Sequence, residues 1–359
     1  MRPPLDPFVP QRIIVALPTW VGDAVMATPT LRALRERFAR ATIAFLVEAN
    51  TRPVIDSSGW MDEVICWPPR APGSRRRHGM IRLSAQIRRR WFDWAVLLPN
   101  SFRSALLMRM AGVPRRIGYA RDARHLLLTD RLPLPRRNGR IILEPMVEYY
   151  GHLAEALGCA PPGDRLELST DQESDAFVQQ RLVGLGLADR HPLVVLNPGA
   201  NYGSAKQWLP ERFAAVADRL IEDQGAGVVI TCGPGEEELA HRVAGTMHRP
   251  ALVLERPRGT LAQLKSLIKR CDLLLTNDTG PRHFAKAFVR PVVTIFGSTI
   301  QKLTDTDYPL ERKLQIEVDC GPCQLRECPL DHRCMTGISV DMVYRACCEL
   351  LGSLTETRP

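Results

Sequence analysis

The stretch Leu273-Leu-Leu-Thr-Asn-Asp-Thr-Gly-Pro-Arg-His-Phe-Ala-Lys-Ala-Phe288, running into Pro291-Val-Val-Thr-Ile-Phe-Gly-Ser-Thr299, decides how this chain folds. Its apolar run predicts a buried strand that stops at Asn277-Asp278-Thr279-Gly280, and Pro281 then opens a short helix. Backbone N–H groups at a helix start converge on one point and favour an anion such as a diphosphate. Asp278 stands at a strand's carboxyl end, where open α/β sheets bind ligands, and the next strand ends in its own small-residue loop, Gly297-Ser298-Thr299. Two neighbouring loops of this kind can hold one nucleotide.

Outward from this stretch, strand patterns recur at Ile13–Leu17, Thr42–Val47, Trp94–Leu98, Leu193–Leu196 and Gly227–Thr231, alternating with helical patterns such as Leu31, Leu34, Phe38 and Phe213, Val216, Leu220. Repeated βα alternation predicts parallel sheets with helices on both faces. Arg12–Leu17 ending in Pro18-Thr-Trp-Val-Gly-Asp23 and His191–Leu196 ending in Asn197-Pro-Gly-Ala-Asn201 share one logic, so each is expected to open its own doubly wound domain. Gly158-Cys-Ala-Pro-Pro-Gly163 and the polar stretch around Asp171–Gln180 read as the linker region. The expected domains are 1–175 and 176–359, facing each other across a ligand-binding cleft.

At 359 residues, with 45% hydrophobic and 24% charged residues, the chain has the make-up of a soluble globular protein long enough for two domains, which excludes disorder as its default state. No apolar run reaches the roughly 18 residues of a membrane span. Met1-Arg-Pro-Pro-Leu-Asp-Pro7 lacks the apolar core of a signal peptide, so a cytoplasmic location is expected. The net charge of +9 is concentrated: eighteen arginines fall between Arg70 and Arg140 against the acids Asp93, Asp122 and Asp130. Solvated helix faces are one reading, and an anionic partner is the other. No zinc-finger, homeodomain or RNA-binding signature accompanies the charge, so nucleic acid is not expected, whereas an acidic lipid or sugar-phosphate acceptor fits.

Four motifs carry chemistry. After the first strand, Gly22 and Asp23 enter a helix, where a carboxylate is ionised and can serve either as a general base or as a simple helix cap. Asn197-Pro-Gly-Ala-Asn-Tyr-Gly-Ser-Ala-Lys-Gln-Trp208 ends a strand in a glycine-rich loop, with Lys206 ahead of a helix opening near Pro210. A flexible point charge beside backbone donors suits a diphosphate leaving group, and Lys206 is the first of only six lysines against 42 arginines. Trp208 reads as a packing anchor. Thr231-Cys-Gly-Pro-Gly-Glu-Glu-Glu-Leu239 offers Gly-x-Gly after a strand but has Glu238 where a third glycine belongs, which weakens a nicotinamide oxidoreductase reading. Glu236 there can accept hydrogen bonds from a nucleoside or complement a helix dipole. Cys320-Gly-Pro-Cys323, Cys328 and Cys334, with His332 as a substitute ligand, form a candidate structural zinc cluster, although the gaps are shorter than in most zinc ribbons.

Trp20-Val-Gly-Asp-Ala-Val-Met-Ala-Thr-Pro-Thr-Leu31, Asn197–Trp208, Thr276–Ala285 and Phe296-Gly-Ser-Thr299 follow, in order and spacing over nearly the whole chain, the motifs of a known family. The sequence resembles the lipopolysaccharide heptosyltransferases of glycosyltransferase family 9, and among them the second heptosyltransferases. The resemblance implies a GT-B fold, acceptor on the first Rossmann-like domain and nucleotide sugar on the second, with the terminal helix near 339–353 returning to the first. It implies inverting transfer from ADP-heptose to a phosphorylated heptose/Kdo-lipid A inner core at the inner membrane surface, with no cofactor required for catalysis and a cytoplasmic, peripheral enzyme.

Carried over residue by residue, Asp23 is the expected general base and Lys206 the diphosphate contact. Asn201, Ser204, Glu236, Asp278, Thr279, Gly280 and His283 complete the expected donor site, with a structural role as the alternative for His283. Asn100 and Arg103, just past the strand at Trp94–Leu98, are the candidate acceptor contacts. The basic Arg70–His78 segment and the cysteine cluster depart from the family pattern. A GT-B enzyme for another nucleotide sugar and a non-catalytic anion- or nucleic-acid-binding protein are the competing readings.

Overall fold

A computed structural model describes residues 9–68, 76–254 and 260–355. The arginine-rich residues 70–75 lie outside the described set. The chain divides into two units, Met1–Ser169 with Lys302–Thr306 and Thr170–Gln301 with Asp307–Pro359.

The first unit is built on β1 (Arg12–Ala16), β2 (Thr42–Val47), β3 (Glu63–Cys66), β4 (Trp94–Leu97), β5 (Arg115–Tyr119) and β6 (Asp130–Leu132). All pair in parallel, in the order β3-β2-β1-β4-β5-β6. A small antiparallel ribbon, β7 (Arg136–Arg137) and β8 (Arg140–Ile141), follows. The second unit repeats the scheme with β9 (Leu193–Asn197), β10 (Gly227–Thr231), β11 (Leu252–Leu254), β12 (Leu273–Asn277), β13 (Val292–Ile295) and β14 (Glu311–Leu314), ordered β11-β10-β9-β12-β13-β14.

Each sheet is the doubly wound 3-2-1-4-5-6 arrangement, so strand order reverses between β1 and β4 and again between β9 and β12. Central strands such as β9 and β12 are buried along their whole length, as continuous apolar runs covered by helices on both faces must be. At the opposite sheet edges one device recurs: Asp93 Oδ2 accepts from the Arg12 amide and Asp272 Oδ2 from the Leu193 amide, each at 2.8 Å, tying the entry of each central strand to its neighbour.

The division between units falls six residues before the expected 175/176 boundary, at Ser169 and Thr170. The reason is local: Asp171 caps the helix Gln172–Val183 by accepting from the Ser174 amide at 2.7 Å, and that helix packs on Leu261–Arg270 of the second unit. The terminal helix Val340–Thr355 belongs to the second unit. It places Val343, Ala346, Cys347, Leu350 and Leu351 in the second unit's own core with Trp208 and Phe213. Cys347 is ordinary core filling there.

Candidate active site

In the second unit the carboxyl ends of four adjacent strands carry the residues singled out in the sequence. Asn277, the last residue of β12, fastens them: its side chain donates to the Pro198 carbonyl at 2.7 Å and accepts from the Trp208 amide at 3.1 Å. The glycine-rich loop after β9 is thereby stitched to β12, and Asn197 adds a bond from its amide to Thr279 Oγ1 at 3.1 Å. Ser204–Lys206 forms a single 3-10 turn, and Trp208, fully buried with its indole N–H on the Ile338 carbonyl, anchors the far end. Lys206 is thus held by a rigid frame, with its ammonium 2.7 Å from Asp278 Oδ2. Asn201 and Ser204, also expected at the donor, are exposed on the same loop.

Beneath Lys206 lies an ion network. Arg282 Nη1 is 3.3 Å from Asp278 Oδ1, Arg282 Nε is 2.5 Å from Glu311 Oε1, and Lys286 Nζ is 2.8 Å from Glu311 Oε2. Among the described residues three cations face two carboxylates here, with Arg282, Lys286 and Glu311 buried and Lys206 and Asp278 still touching the surface. Burial alone would raise the Asp278 pKa, but Lys206 and then Arg282 outweigh it and hold the carboxyl below its ordinary range. Glu311 is lowered against its burial in the same way by Arg282 and Lys286. Burial, with the charges of Arg282, Lys286 and Lys206, drives the His283 pKa well below its usual value, so the imidazole is neutral, with Nδ1 unpaired among the described residues. Thr279 is the N-cap of the helix Gly280–Ala287 and makes no side-chain cap bond, Pro281 carries no N–H, and the Arg282 amide bonds back to the Thr279 carbonyl at 3.2 Å.

Glu236 is the N-cap residue of the helix after β10, and its side chain folds back so that Oε2 accepts from the Gly233 amide at 2.9 Å. It lies hard against Gly199, where any Cβ would collide with the carboxylate. Oε1 is buried with no hydrogen-bond partner among the described residues.

The first unit gathers its residues at the corresponding switch point. Asp23 falls in the first turn of the helix Val21–Met26, whose N-cap is Trp20 with no side-chain cap bond, so the acid is not the capping residue. Its carboxylate is near enough to Tyr150 to add to the burial that holds that phenol well above its usual pKa. Asn100, past β4, accepts from Arg124 Nη2 and pairs with the Tyr149 hydroxyl, both at 3.0 Å. Arg103 lies over the Trp67 ring at 3.9 Å and is 3.5 Å from Glu48 Oε1, beyond the end of β2. Asn100 therefore serves a buried tyrosine–arginine network, whereas Arg103 keeps a half-exposed guanidinium.

A sequence model of glycosyltransferase family 9 (heptosyltransferase) matches residues 80–333. The chain belongs to this family. Lipopolysaccharide heptosyltransferase 2 of Escherichia coli K12 is 29% identical over 321 residues, 85% of this chain and 87% of that protein. Lipooligosaccharide heptosyltransferase 2 of Haemophilus ducreyi is 26% identical over 95% of this chain and 99% of that one. Among solved structures, the E. coli ADP-heptose lipopolysaccharide heptosyltransferase II superposes with a TM-score of 0.79 at 26% identity, covering 96% and 99% of the two chains. A family 9 protein of Veillonella parvula shares the fold at a TM-score of 0.82 and 22% identity. The protein is a glycosyltransferase of two Rossmann-like units, the pair of domains that defines the GT-B class.

In this family 9 enzyme the four candidate cysteines differ in their exposure. Cys320 and Cys323 are exposed, Cys328 is half-buried and Cys334 buried, and no three or more His, Cys, Asp or Glu side chains among the described residues converge on one ion position. His332 directs Nε2 at the Ala205 carbonyl, 3.1 Å away. The segment braces the site: the Arg326 carbonyl accepts from the Ala205 amide at 2.9 Å, the Gln324 carbonyl from Tyr202 Oη at 2.6 Å, and the Gln324 amide donates to the Ser298 carbonyl at 2.7 Å. Nothing in the local sequence of residues 320–334 signals this, because every partner lies at least 26 residues away or across the sheet. Gly203 is the one clue, since a Cβ there would run into the Arg326 backbone.

Proposed function

We propose that this glycosyltransferase moves heptose from ADP-heptose to the phosphorylated heptose/Kdo-lipid A inner core of lipopolysaccharide, with inversion and without a metal. The observation that carries the donor assignment is Lys206, paired with Asp278 above the buried Arg282, Lys286 and Glu311 network and set beside a helix start that has no side-chain cap. A lysine ammonium at a helix start suits a diphosphate. The buried Glu236 Oε1 is an acceptor that a ribose hydroxyl would satisfy.

In this reading Asp23 takes the proton of an acceptor hydroxyl as its oxygen attacks the anomeric carbon. The bond from that carbon to the diphosphate oxygen breaks, and its electron pair leaves with ADP. Lys206 and the amides at Thr279–Gly280 stabilise the departing charge. General-base assistance contributes about 10² to 10⁴ in rate. Asp23→Ala should lose that much transfer while binding ADP as the wild type does, and normal turnover by the variant would rule out the role.

We also assign a peripheral contact with an anionic bilayer, where the acceptor resides. It is supported by a groove of about 360 Å³ lined by Arg82, Ala85, Gln86, Arg89 and Arg90, flanked by Ile81 (55% exposed) and Trp91 (81% exposed). Arginines with an aliphatic and an indole side chain at their edge match a headgroup interface.

A further inference from the structure

The pairs below Lys206 carry more charge than packing requires. Arg282 and Glu311 are fully buried and Lys286 nearly so, and a buried ion pair rarely stabilises more than apolar side chains of the same volume. Its geometry, however, is specific. Glu311 binds the guanidinium through both oxygens, Oε1 to Nε at 2.5 Å and Oε2 to Nη2 at 3.1 Å, and Thr294 Oγ1 donates to Oε1 at 2.7 Å. Arg282 is left with Nη1 directed at Asp278 Oδ1, while Asp278 Oδ2 accepts from Thr299 Oγ1 and Lys206, each at 2.7 Å. One oxygen of Asp278 is thus committed to the arginine below and the other to the residues above.

We propose that Arg282, oriented by Glu311, is a positioning residue for the donor diphosphate: by holding Asp278 Oδ1 it fixes the carboxylate so that Oδ2 aims the Lys206 ammonium. The inference rests on the reading of Lys206 as the diphosphate contact. The planar fork of arginine is needed because it must serve both carboxylates at fixed angles, which a lysine at the same position cannot do. The network also keeps Asp278 from neutralising Lys206 completely, since its charge is shared between the two cations. The lysine therefore stays attractive to an incoming anion.

The test is a calorimetric titration of the full-length protein with ADP. It compares the wild type, Lys206→Met, the apolar triple variant Arg282→Met/Lys286→Met/Glu311→Leu, and all four changes combined. The triple variant removes Arg282, Lys286 and Glu311 together and leaves Asp278 paired with Lys206, so its thermal unfolding should stay near that of the wild type. Its affinity for ADP should fall about tenfold, and adding Lys206→Met should then cost clearly less than it does alone, because the benefit of the lysine depends on the network. Donor KM should rise with the acceptor KM unchanged, a split that loosened packing would not produce.

A folded triple variant with wild-type ADP affinity, or strictly additive losses, overturns the proposal. If the triple variant does not fold, Arg282→Lys decides: the charge stays and the fork is lost, so weakened ADP binding in a folded protein supports the role and unchanged binding refutes it. A wild type that fails to bind ADP removes the donor reading itself, a result distinct from either.

Discussion

At Asp278 two cations share one buried carboxylate, Lys206 on Oδ2 and Arg282 on Oδ1. Because Asp278 and Glu311 are both held below their ordinary pKa ranges, the unfolded chain binds more protons than the folded one once the pH drops below about 4. Their contribution to stability is complete at neutral pH and is lost as the pH falls through that range. Glu311→Gln should accordingly flatten the acid limb of a plot of unfolding temperature against pH. An unchanged limb would show that the network is not linked to folding. The polar residues at this scale were legible where they sit in a strand-end motif, as Lys206, Asp278 and Thr279 do. Glu311 was not: its partner Arg282 is 29 residues away, and a charged residue among Glu311-Arg-Lys-Leu314 reads as surface. Asn277 belonged to the quoted motif, but only the fold shows that it ties the lysine loop to β12.

Among the elements, the helix Val340–Thr355 closes the second unit's core, and Leu350 within it is 1% exposed. Leu350→Ala should cost about 2–5 kcal/mol by lost transfer energy and the cavity left behind, read as a lower denaturant midpoint at unchanged slope. A loss below 0.5 kcal/mol, on the order of a surface substitution, would place the helix outside the core. The central strands of both sheets were readable from sequence because they are buried on both faces and appear as unbroken apolar runs. The edge and outer strands β3, β5, β6, β11 and β14 were missed for the converse reason. They are short, and Arg115-Arg116 or Arg312-Lys313 breaks the apolar pattern that a half-buried strand would otherwise show. The terminal helix was legible as a helix, but which sheet it covers is a long-range choice that its periodicity does not encode.

Over the whole molecule, arginine is concentrated in the first half and all six lysines fall in the second. No helix among the described residues is long and apolar enough to cross a membrane, and the proposed bilayer contact is a surface one. Wild-type protein should sediment with phosphatidylglycerol vesicles at low salt and release as salt rises, because surface charges are screened beyond about 10 Å at 0.1 M. Arg82→Gln/Arg89→Gln/Trp91→Ala should sediment markedly less, and equal sedimentation by the variant would discard this face. The donor claim, on which the mechanism stands, is tested most directly by calorimetry of purified protein with ADP-heptose beside UDP- and GDP-sugars, using Lys206→Ala as the control. We expect ADP-heptose alone to bind, and to bind more weakly to the variant; preference for another nucleotide sugar, or no binding of any, would contradict the account.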